Sequence, residues 1–399
     1  MKILVLNAGS SSLKYQLLDT ASQSIMAKGV VEKIGLNDTF LGFTNGSHPK
    51  VEKNIHAANH DEALKEVFAS LVEGPTAVIK DLNEIHAIGH RVVHGGEVYS
   101  QPTLVTEAVL TELDKLSDIA PLHNPPNIMG IRACQKIVPQ TPQVAVFDTA
   151  FHQTMEPVAY MYGLPYEYYE KYGIRRYGFH GTSYAYVTQE AAKFLNKSQD
   201  QVNLIVCHIG NGASMAAIKN GKSIDTSMGF TPLEGLMMGT RSGSLDPAAV
   251  LYIMEKEKLT PAQASDLLNK QSGLKGVSGV SSDMRDVEAA ADQGNKQAKL
   301  AKDMMAHYIR RMLGAYLVEL DAQVDAIVFT AGMGEFDVQL RAQVTAGLSS
   351  LGIEIDQAVN KESKSKLRDI STPSAKIRTL VVPTNEELMI ALETQEVVK

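Results

Sequence analysis

The 399-residue sequence lacks tryptophan, contains two cysteines, and has only 6% aromatic residues. Two cysteines, Cys134 and Cys207, cannot form a disulfide framework or a four-thiolate zinc site. No apolar run approaches the roughly 18–20 residues of a transmembrane helix. The apolar part of the N-terminus is too short for a secretory signal and is typical of a strand. We therefore expect a soluble, cytoplasmic protein with no membrane partner.

An excess of positive charge is also absent. The chain has 38 Lys and Arg against 45 Asp and Glu, which gives a net charge of −7. This balance argues against a broad basic surface, so we expect no nucleic-acid partner. At roughly 150 residues per domain, the length predicts two or three domains.

Several common nucleotide and metal motifs are missing. Gly221-Lys222-Ser223 is similar to the end of a P-loop, but Ala216 stands where the first glycine is required. The dinucleotide fingerprint needs a third glycine, which neither glycine pair has, Gly210/Gly212 or Gly332/Gly334. No His-Glu-x-x-His helix or EF-hand loop is found. A nucleotide would therefore need another kind of binding site.

Short runs rich in β-branched residues alternate with helical patterns along the chain. The predicted strands are 3–6, 144–147, 204–206, 326–329 and 380–382. Residues 298–320 predict a long helix, because Met305, Ile309, Leu313 and Leu317 recur every four residues. Strands that alternate with helices indicate an α/β fold.

One pattern occurs twice, about 200 residues apart. The strand at 3–6 ends in a small-residue turn, 7–12, and then resumes; the strand at 204–206 does the same around 208–214. This repetition predicts two similar domains that each open with a hairpin. The polar stretch 196–201 is a plausible connection on the surface.

The two turns have features that suit a phosphate. Ser10 and Ser12 offer hydroxyls and backbone N–H groups, and Lys14 offers a positive charge. The alternative is an ordinary turn. The pairing with 210–212, and a third predicted glycine turn at 332–335, favours a nucleotide held between two domains.

Five charged or imidazole side chains stand in loops or after strands. Each also has a purely structural interpretation: Arg91 as a core ion pair, His123 as a capping or packing residue, and Asp148 as a helix cap. His180 and Arg241 are flanked by glycines, which correlates with a nearby ligand. Hard-oxygen ligands for a metal could come from Asp148, Glu335 or Glu386, although Glu386 could equally be a carboxylate at a helix N-terminus.

Arg91, His123, Asp148 and His180 lie in segments that resemble the acetate kinase (acetokinase) family, and the resemblance covers essentially the whole chain. The segments are 7–14, 89–96, 121–125, Phe147-Asp148-Thr149-Ala150-Phe151-His152, 177–183, His208-Ile209-Gly210-Asn211-Gly212 and Asp283-Met284-Arg285.

The resemblance implies an α/β fold of two ribonuclease-H-like (actin-like ATPase) domains with an interdomain nucleotide cleft. The domains would be 1–150, joined by a C-terminal helix at 385–399, and 151–384. The implied enzyme is a phosphotransferase of acetate metabolism that converts ATP and acetate reversibly into ADP and acetyl phosphate. Mg²⁺ or Mn²⁺ would be the cofactor, and the protein would be a homodimer.

The resemblance also implies roles for individual residues. Asn7 and Glu386 would bind the metal, Arg91 the substrate anion, and His180 and Arg241 the transition state; Asp148 would be the acid/base. The acyl group would contact Val93, Leu122, His123, Phe179 and Pro232. The nucleotide would contact Ser10, Ser12, Lys14, His208, Ile209, Gly210, Asn211, Gly212, Asp283, Met284, Arg285, Gly332, Met333, Gly334, Glu335 and Phe336.

One residue departs from the family pattern, and the chemistry of acetate argues against one of the implied roles. Phe336 stands where the family usually has Asn, so the adenosine contact would change, and the phenyl ring could stack on the base. Acetate is already ionised at pH 7, so a general base has no proton to remove. We therefore expect Asp148 to orient Arg91, Arg241 or the metal instead.

Two other functions stay open at this stage. A hydrophobic pocket distinguishes one methylene by only about 1–3 kcal/mol, so a propionate or short-chain acyl kinase is the nearest alternative. An actin-like, nucleotide-switched binding protein is the alternative of another class. It would not need an arginine clamp for a small anion.

Overall fold

The computed structural model describes residues 1–362 and 366–399. Its strands are β1 (Lys2–Ala8), β2 (Ser12–Asp19), β3 (Ser24–Glu32), β4 (Phe40–Asn45), β5 (Val51–Asn54), β6 (Ala87–Val92), β7 (Thr103–Leu104), β8 (Gln143–Phe147), β9 (Leu204–Ile209), β10 (Ala213–Lys219), β11 (Lys222–Thr226), β12 (Ala326–Thr330), β13 (Arg368–Asp369) and β14 (Arg378–Val381).

The helices alternate with these strands. They are α1 (His60–Val72), α2 (Glu107–Leu116), α3 (Asn124–Ile137), α4 (Pro157–Tyr160), α5 (Glu167–Tyr172), α6 (Gly181–Phe194), α7 (Pro247–Glu257), α8 (Pro261–Lys270), α9 (Gly273–Ser278), α10 (Met284–Asp292), α11 (Lys296–Glu319), α12 (Ala331–Phe336), α13 (Val338–Thr345), α14 (Gln357–Asn360) and α15 (Glu386–Val398). No helix in the described ranges is long and apolar enough to cross a membrane.

The chain divides into two compact units. Unit 1 comprises Met1–Phe151 and Asn385–Lys399, and unit 2 comprises His152–Thr384. These limits lie within one residue of the domain limits expected from the sequence. The C-terminal helix α15 belongs to unit 1.

The sheet of unit 1 has the strand order β5-β4-β3-β2-β1-β6-β8-β7. β1 pairs antiparallel with β2 and parallel with β6, which pairs parallel with β8. One face of β1 places Leu4 and Leu6 in a core shared with α1 and α3. On β6, a Cβ atom at Gly89 would lie 2.4 Å from Thr394 Oγ1 of α15. A glycine is therefore required for α15 to approach β6 this closely.

The sheet of unit 2 has the order β11-β10-β9-β12-β14-β13. β9 pairs antiparallel with β10 and parallel with β12, which pairs parallel with β14. Every residue of β9 and β12 is buried. Both sheets thus contain one arrangement, three antiparallel strands followed by two parallel ones. Both predicted hairpins are confirmed, but only the first opens its unit, because α4, α5 and α6 precede β9 in unit 2.

The predicted long helix is confirmed as α11. Asn295 caps it by accepting hydrogen bonds from the backbone N–H groups of residues 297 and 298. Met305, Ile309 and Leu313 are at most 1% exposed, so the four-residue repeat faces the core as expected.

The predicted glycine turn at 332–335 is wrong. These residues belong to α12, which begins directly after β12. Ala331 takes the left-handed backbone conformation, with φ of 63°, and makes the change of direction itself.

Candidate active site

Arg91 and Asp148 form a buried ion pair in unit 1. Arg91 is on β6 and Asp148 directly follows β8, the parallel neighbour of β6. Arg91 Nε donates to Asp148 Oδ1 at 3.0 Å, and Nη2 donates to Oδ2 at 2.6 Å. The Asp148 side chain is 3% exposed and that of Arg91 is 22% exposed. This fork fixes the guanidinium plane, and in the described chain nothing accepts from Nη1.

Glu386 is the first residue of α15, so its predicted place at a helix N-terminus is confirmed. Burial raises its pKa to about 7; Arg91 opposes this increase, whereas Asp148 adds to it. No described residue donates a hydrogen bond to its carboxylate. A half-buried carboxylate without a donor fits a cation, because a cation would favour the charged form.

A cavity of about 460 Å³ in unit 1 connects four of the predicted residues. Its lining includes Asn7, Lys14, Arg91 and Glu386. Asn7 and Lys14 are opposite each other in the β1–β2 ladder. The cavity therefore places two hard-oxygen side chains beside two cationic ones. The side-chain oxygens of Asn7 and Glu386 are of the kind that Mg²⁺ prefers as ligands. No three His, Cys, Asp or Glu side chains cluster for a metal in the described chain.

The first hairpin turn is tied down by its backbone. The N–H of Gly9 donates to the carbonyl of Ser12 at 2.8 Å, and the carbonyl of Gly9 is 2.7 Å from His60 Nε2 on α1. Ser10 is exposed and Ser12 is half-buried. The turn is therefore ordered, with the hydroxyl of Ser10 open to solvent.

The predicted acyl contacts of unit 1 lie at different depths. Val93 is half-buried, and its N–H donates to Asn127 Oδ1 at 3.1 Å. Leu122 is 62% exposed. His123 stands at the N-cap position of α3, but its side chain makes no cap hydrogen bond, so a capping role is wrong, whereas a packing role stays open.

His180 is held at the start of α6 in unit 2. Its backbone is left-handed, with φ of 59°. Its Nδ1 lies 2.8 Å from Ser214 Oγ, and its ring stacks on that of His208 with centroids 4.1 Å apart. His208 Nδ1 in turn lies 2.8 Å from Ser183 Oγ. These contacts fix the plane of both imidazoles.

Gly212 brings Arg241 and His180 together. A Cβ atom on Gly212 would lie 3.2 Å from Arg241 Nη2 and 3.5 Å from His180 Nε2. Arg241 Nη1 donates to the carbonyl of Pro232 at 2.6 Å. Phe179, one residue before His180, is 2% exposed, whereas Pro232 is half-buried. The structure therefore groups the predicted transition-state residues of unit 2 around one glycine.

The glycine turn after β9 is ordered by hydrogen bonds of its own backbone. The N–H of Gly210 donates to the carbonyl of Gly212 at 3.1 Å, and the N–H of Gly239 donates to that of Asn211 at 3.0 Å. Ile209 is fully buried at the end of β9. A Cβ atom on Gly210 would lie 3.7 Å from that of Ala331, the first residue of α12. The two predicted nucleotide segments, 208–212 and 332–336, are thus neighbours.

α12 contributes a carboxylate and an exposed ring. Glu335 Oε1 accepts from the N–H of Thr384 at 3.3 Å, and burial raises the pKa of Glu335. Phe336 is 57% exposed and so is accessible to a base. Gly332 has open space around its Cβ position, unlike Gly334, and Met333 lies between them.

Asp283 caps α10. Its side chain accepts from the N–H of Arg285 and also pairs with the Arg285 guanidinium at 2.5 Å. The guanidinium hydrogen bond is the main reason that the pKa of Asp283 falls to about 2. The Arg285 side chain is 87% exposed, whereas Met284 is buried.

Sequence reasoning missed Arg341 on α13, a fully buried residue. Its Nη1 donates to the carbonyls of Gly334 and Glu335, both at 2.9 Å, and its Nε donates to Asn360 Oδ1 at 2.8 Å. It therefore holds the C-terminal end of α12. No glycine or motif marks Arg341 in the sequence, and its partners become evident only in the fold.

The two sheets define an α/β protein of the actin-like ATPase fold with two units. The chain belongs to the acetokinase family, whose profile matches residues 2–392. It is 55% identical to an acetate kinase of Desulfitobacterium hafniense, with 100% of both chains covered. It is similar to the crystal structure of an acetate kinase from Porphyromonas gingivalis (TM-score 0.96, 46% identity, 100% of each chain). A propionate kinase from Francisella tularensis is also similar (TM-score 0.92, 42% identity, 99% of each chain).

Proposed function

We propose that this protein transfers the γ-phosphoryl group of ATP reversibly to acetate, forming acetyl phosphate and ADP by direct in-line transfer. The observation that carries the proposal is the Arg91–Asp148 fork, which leaves one guanidinium edge beside the cavity with no acceptor among the described residues. That edge suits a small carboxylate. The relatives named as acetate kinases support the same reaction.

Asp148 acts in this proposal by orienting Arg91. Acetate resembles an Asp or Glu side chain, whose pKa is about 4, so it reaches the site as an anion. The chemical difficulty is to bring one anion to another. A guanidinium held by two hydrogen bonds keeps its direction and its charge for that task, and no proton transfer by Asp148 is needed.

His180 and Arg241 are proposed to stabilise the transferring phosphoryl group. Both side chains are held in place, His180 by Ser214 and His208 and Arg241 by the Pro232 carbonyl. Positioned donors of this kind typically each contribute on the order of 10²-fold or more to turnover. The backbone around 208–212, 283–285 and 332–336 would bind the nucleotide.

Asn7 and Glu386 are proposed to hold Mg²⁺, or Mn²⁺ in its place. The support is the half-buried Glu386 carboxylate, which has no hydrogen-bond donor in the described chain, and the shared cavity with Asn7. When bound, the ion would neutralise charge on the polyphosphate. Lys14, in the same cavity, would add a further positive charge.

The residues around the acyl chain determine which acid the enzyme accepts. Val93, Leu122, His123, Phe179 and Pro232 are the proposed contacts. One specific observation keeps propionate as the second candidate, namely the likeness to a propionate kinase at 42% identity. We expect propionate to be a slower substrate, since one methylene changes discrimination by only about 1–3 kcal/mol.

We also propose a cytoplasmic homodimer. Helix α7 supports the dimer, because it has no buried residue and exposes Leu251 (67%) and Tyr252 (61%). The use of ATP and the two free cysteines support the cytoplasm. Light scattering of the wild type, beside a Leu251→Glu variant, tests the dimer through its mass.

A hydroxylamine-trapping assay tests the reaction. Purified protein with ATP and Mg²⁺ receives acetate, propionate or butyrate, and the hydroxamate formed is measured. We expect the highest kcat/KM with acetate. Highest efficiency with a longer acid would leave the kinase chemistry and change the substrate. ATP hydrolysis that is equal with and without an acid would instead support the nucleotide-switched binding protein.

A further inference from the structure

The segment that carries Pro232 and Arg241 is long and irregular. It covers residues 227–246 between β11 and α7, and we call it the Pro232 loop. A loop of this length tends to be mobile unless contacts hold it. Arg241 Nη1 donates to the carbonyl of Pro232, so the position of one depends on the position of the other.

Arg176 holds the beginning of this loop. Its Nη1 donates to the carbonyls of Thr226 at 2.8 Å, Ser227 at 3.2 Å and Met228 at 3.3 Å. Its Nη2 donates to Glu234 Oε1 at 2.9 Å. One guanidinium therefore joins residues on both sides of Pro232.

Tyr162 extends this hydrogen-bond network by binding the second carboxylate oxygen of Glu234. Its hydroxyl donates to Glu234 Oε2 at 2.5 Å and accepts from the N–H of Phe230 at 2.8 Å. A Cβ atom on Gly229 would lie 1.8 Å from Glu234 Oε2 and 2.2 Å from the Tyr162 hydroxyl. Only glycine leaves room for this contact.

The hydrogen-bond network of Arg176, Glu234 and Tyr162 also includes the segment that carries His180. The N–H groups of Tyr177 and Gly178 donate to the carbonyl of Gly229 at 3.1 and 3.3 Å. Arg176 itself precedes His180 by four residues along the chain. The same contacts therefore link the loop of Arg241 to the backbone that leads to His180.

We propose that Tyr162, Arg176 and Glu234 are positioning residues, which fix the Pro232 loop and through the Pro232 carbonyl set the direction of the Arg241 guanidinium. Together they would place Arg241 and Pro232 for the acyl phosphate reaction. The inference rests on the proposed function for its catalytic consequence. Its structural part, the ordering of the loop, stands separately.

Tyr162→Phe is the first variant, since it removes one hydroxyl and leaves the ring. Glu234→Gln is the second, since it weakens the pair with Arg176 and keeps the shape. The matched controls are Tyr168→Phe on α5, whose side chain is 40% exposed, and Glu190→Gln on α6, whose partner Lys193 is 70% exposed. The melting temperature of each of the four variants is measured, and all kinetics are compared with the wild type at one temperature at which every protein is folded.

We expect both test variants to lower kcat with acetate about tenfold, because small misplacements of catalytic groups are costly. KM for ATP should change less than twofold, and the acetate-to-propionate ratio of kcat/KM should shift. A purely structural role would lower the amount of active protein and would change neither kcat selectively nor the acetate-to-propionate ratio. Amide hydrogen exchange over 227–241 should become faster in the test variants and not in the controls.

Two results would overturn the proposal. One is amide exchange over 227–241 equal to that of the controls. The other is loss of kcat in proportion to the unfolded fraction, with no change in the acetate-to-propionate ratio. If the wild type formed no acyl phosphate, the proposed function would fail, and the exchange data would still decide whether these residues hold the loop.

Discussion

The two units have one strand arrangement but offer different chemistry at corresponding turns. In unit 1 the strands that flank the first turn contribute Asn7 and Lys14 to a cavity that Arg91, paired with Asp148, and Glu386 also line. In unit 2 the turn after β9 is made of glycines and backbone groups, with His180 and Arg241 against Gly212. The comparison teaches that the fold repeats a location, whereas individual residues decide what that location binds.

The role of the Arg91–Asp148 ion pair in unit 1 is tested by Asp148→Asn. We expect kcat to fall roughly 10²- to 10³-fold, because the amide cannot hold Arg91 with two charge-assisted hydrogen bonds. The residual activity should keep the pH dependence of the wild type, since no proton transfer is lost. Glu107→Gln, in an exposed pair with Arg132, is the control and should be near wild type. A flattened acidic limb in Asp148→Asn would instead make Asp148 a general base.

Both units bury a neutral histidine, so they should respond alike to acid. Burial lowers the pKa of His90 in unit 1 and of His152 in unit 2 to about 4, from 6.5 in an unfolded chain. Between these values the unfolded state binds more protons, so stability falls as pH drops from 6.5 to 4. Each histidine should cost on the order of 3 kcal/mol, at about 1.4 kcal/mol per pKa unit.

Urea unfolding at pH 7 and pH 4.5 measures this loss. His90→Gln should show a smaller difference between the two pH values than the wild type, whatever its stability at pH 7. His48→Gln, at an exposed position in unit 1, is the control. An unchanged difference in His90→Gln would contradict the assignment.

The role of the glycine turn after β9 in unit 2 is tested by Gly212→Ala. The added methyl would lie 3.2 Å from Arg241 Nη2, so the guanidinium must shift by a few tenths of an ångström, whereas its 3.5 Å distance from His180 Nε2 is an ordinary contact. We expect kcat to fall about tenfold with little change in the melting temperature. Gly314→Ala on α11 is the matched control, because nothing lies within 4 Å of its added methyl. Equal kinetics in the two variants would show that Arg241 tolerates the displacement.

The smallest effect is expected at Phe336, which is 57% exposed on α12. Phe336→Asn restores the residue that the family usually has. We expect a change of a few-fold in KM for ATP and in the preference for ATP over GTP, because base–aromatic stacking would be lost. Unchanged affinity and selectivity would show that the ring does not contact the base.

Periodic and repeated features were predictable from sequence. The α11 helix follows from its four-residue repeat, and the paired hairpins follow from two similar strand-and-turn patterns. The Arg91–Asp148 pair was one of two open interpretations. It could be anticipated because both residues occur near the carboxyl ends of parallel strands, which meet at one edge of a sheet.

Contacts distant along the chain were not predictable. The partners of Arg341 and Glu234 are brought together only by tertiary packing, and neither residue stands in a motif. The error at α12 has a simpler cause. The glycines at 332 and 334 suggested a turn, but Ala331 adopts the left-handed conformation that sequence reasoning assigns to glycine.

The most direct test is phosphorus NMR of the purified protein with ATP, Mg²⁺ and acetate. We predict that acetyl phosphate and ADP appear together in equal amounts, and that the same mixture forms from acetyl phosphate and ADP. Arg91→Gln should abolish both directions. Inorganic phosphate as the product, formed at one rate with or without acetate, would contradict the account.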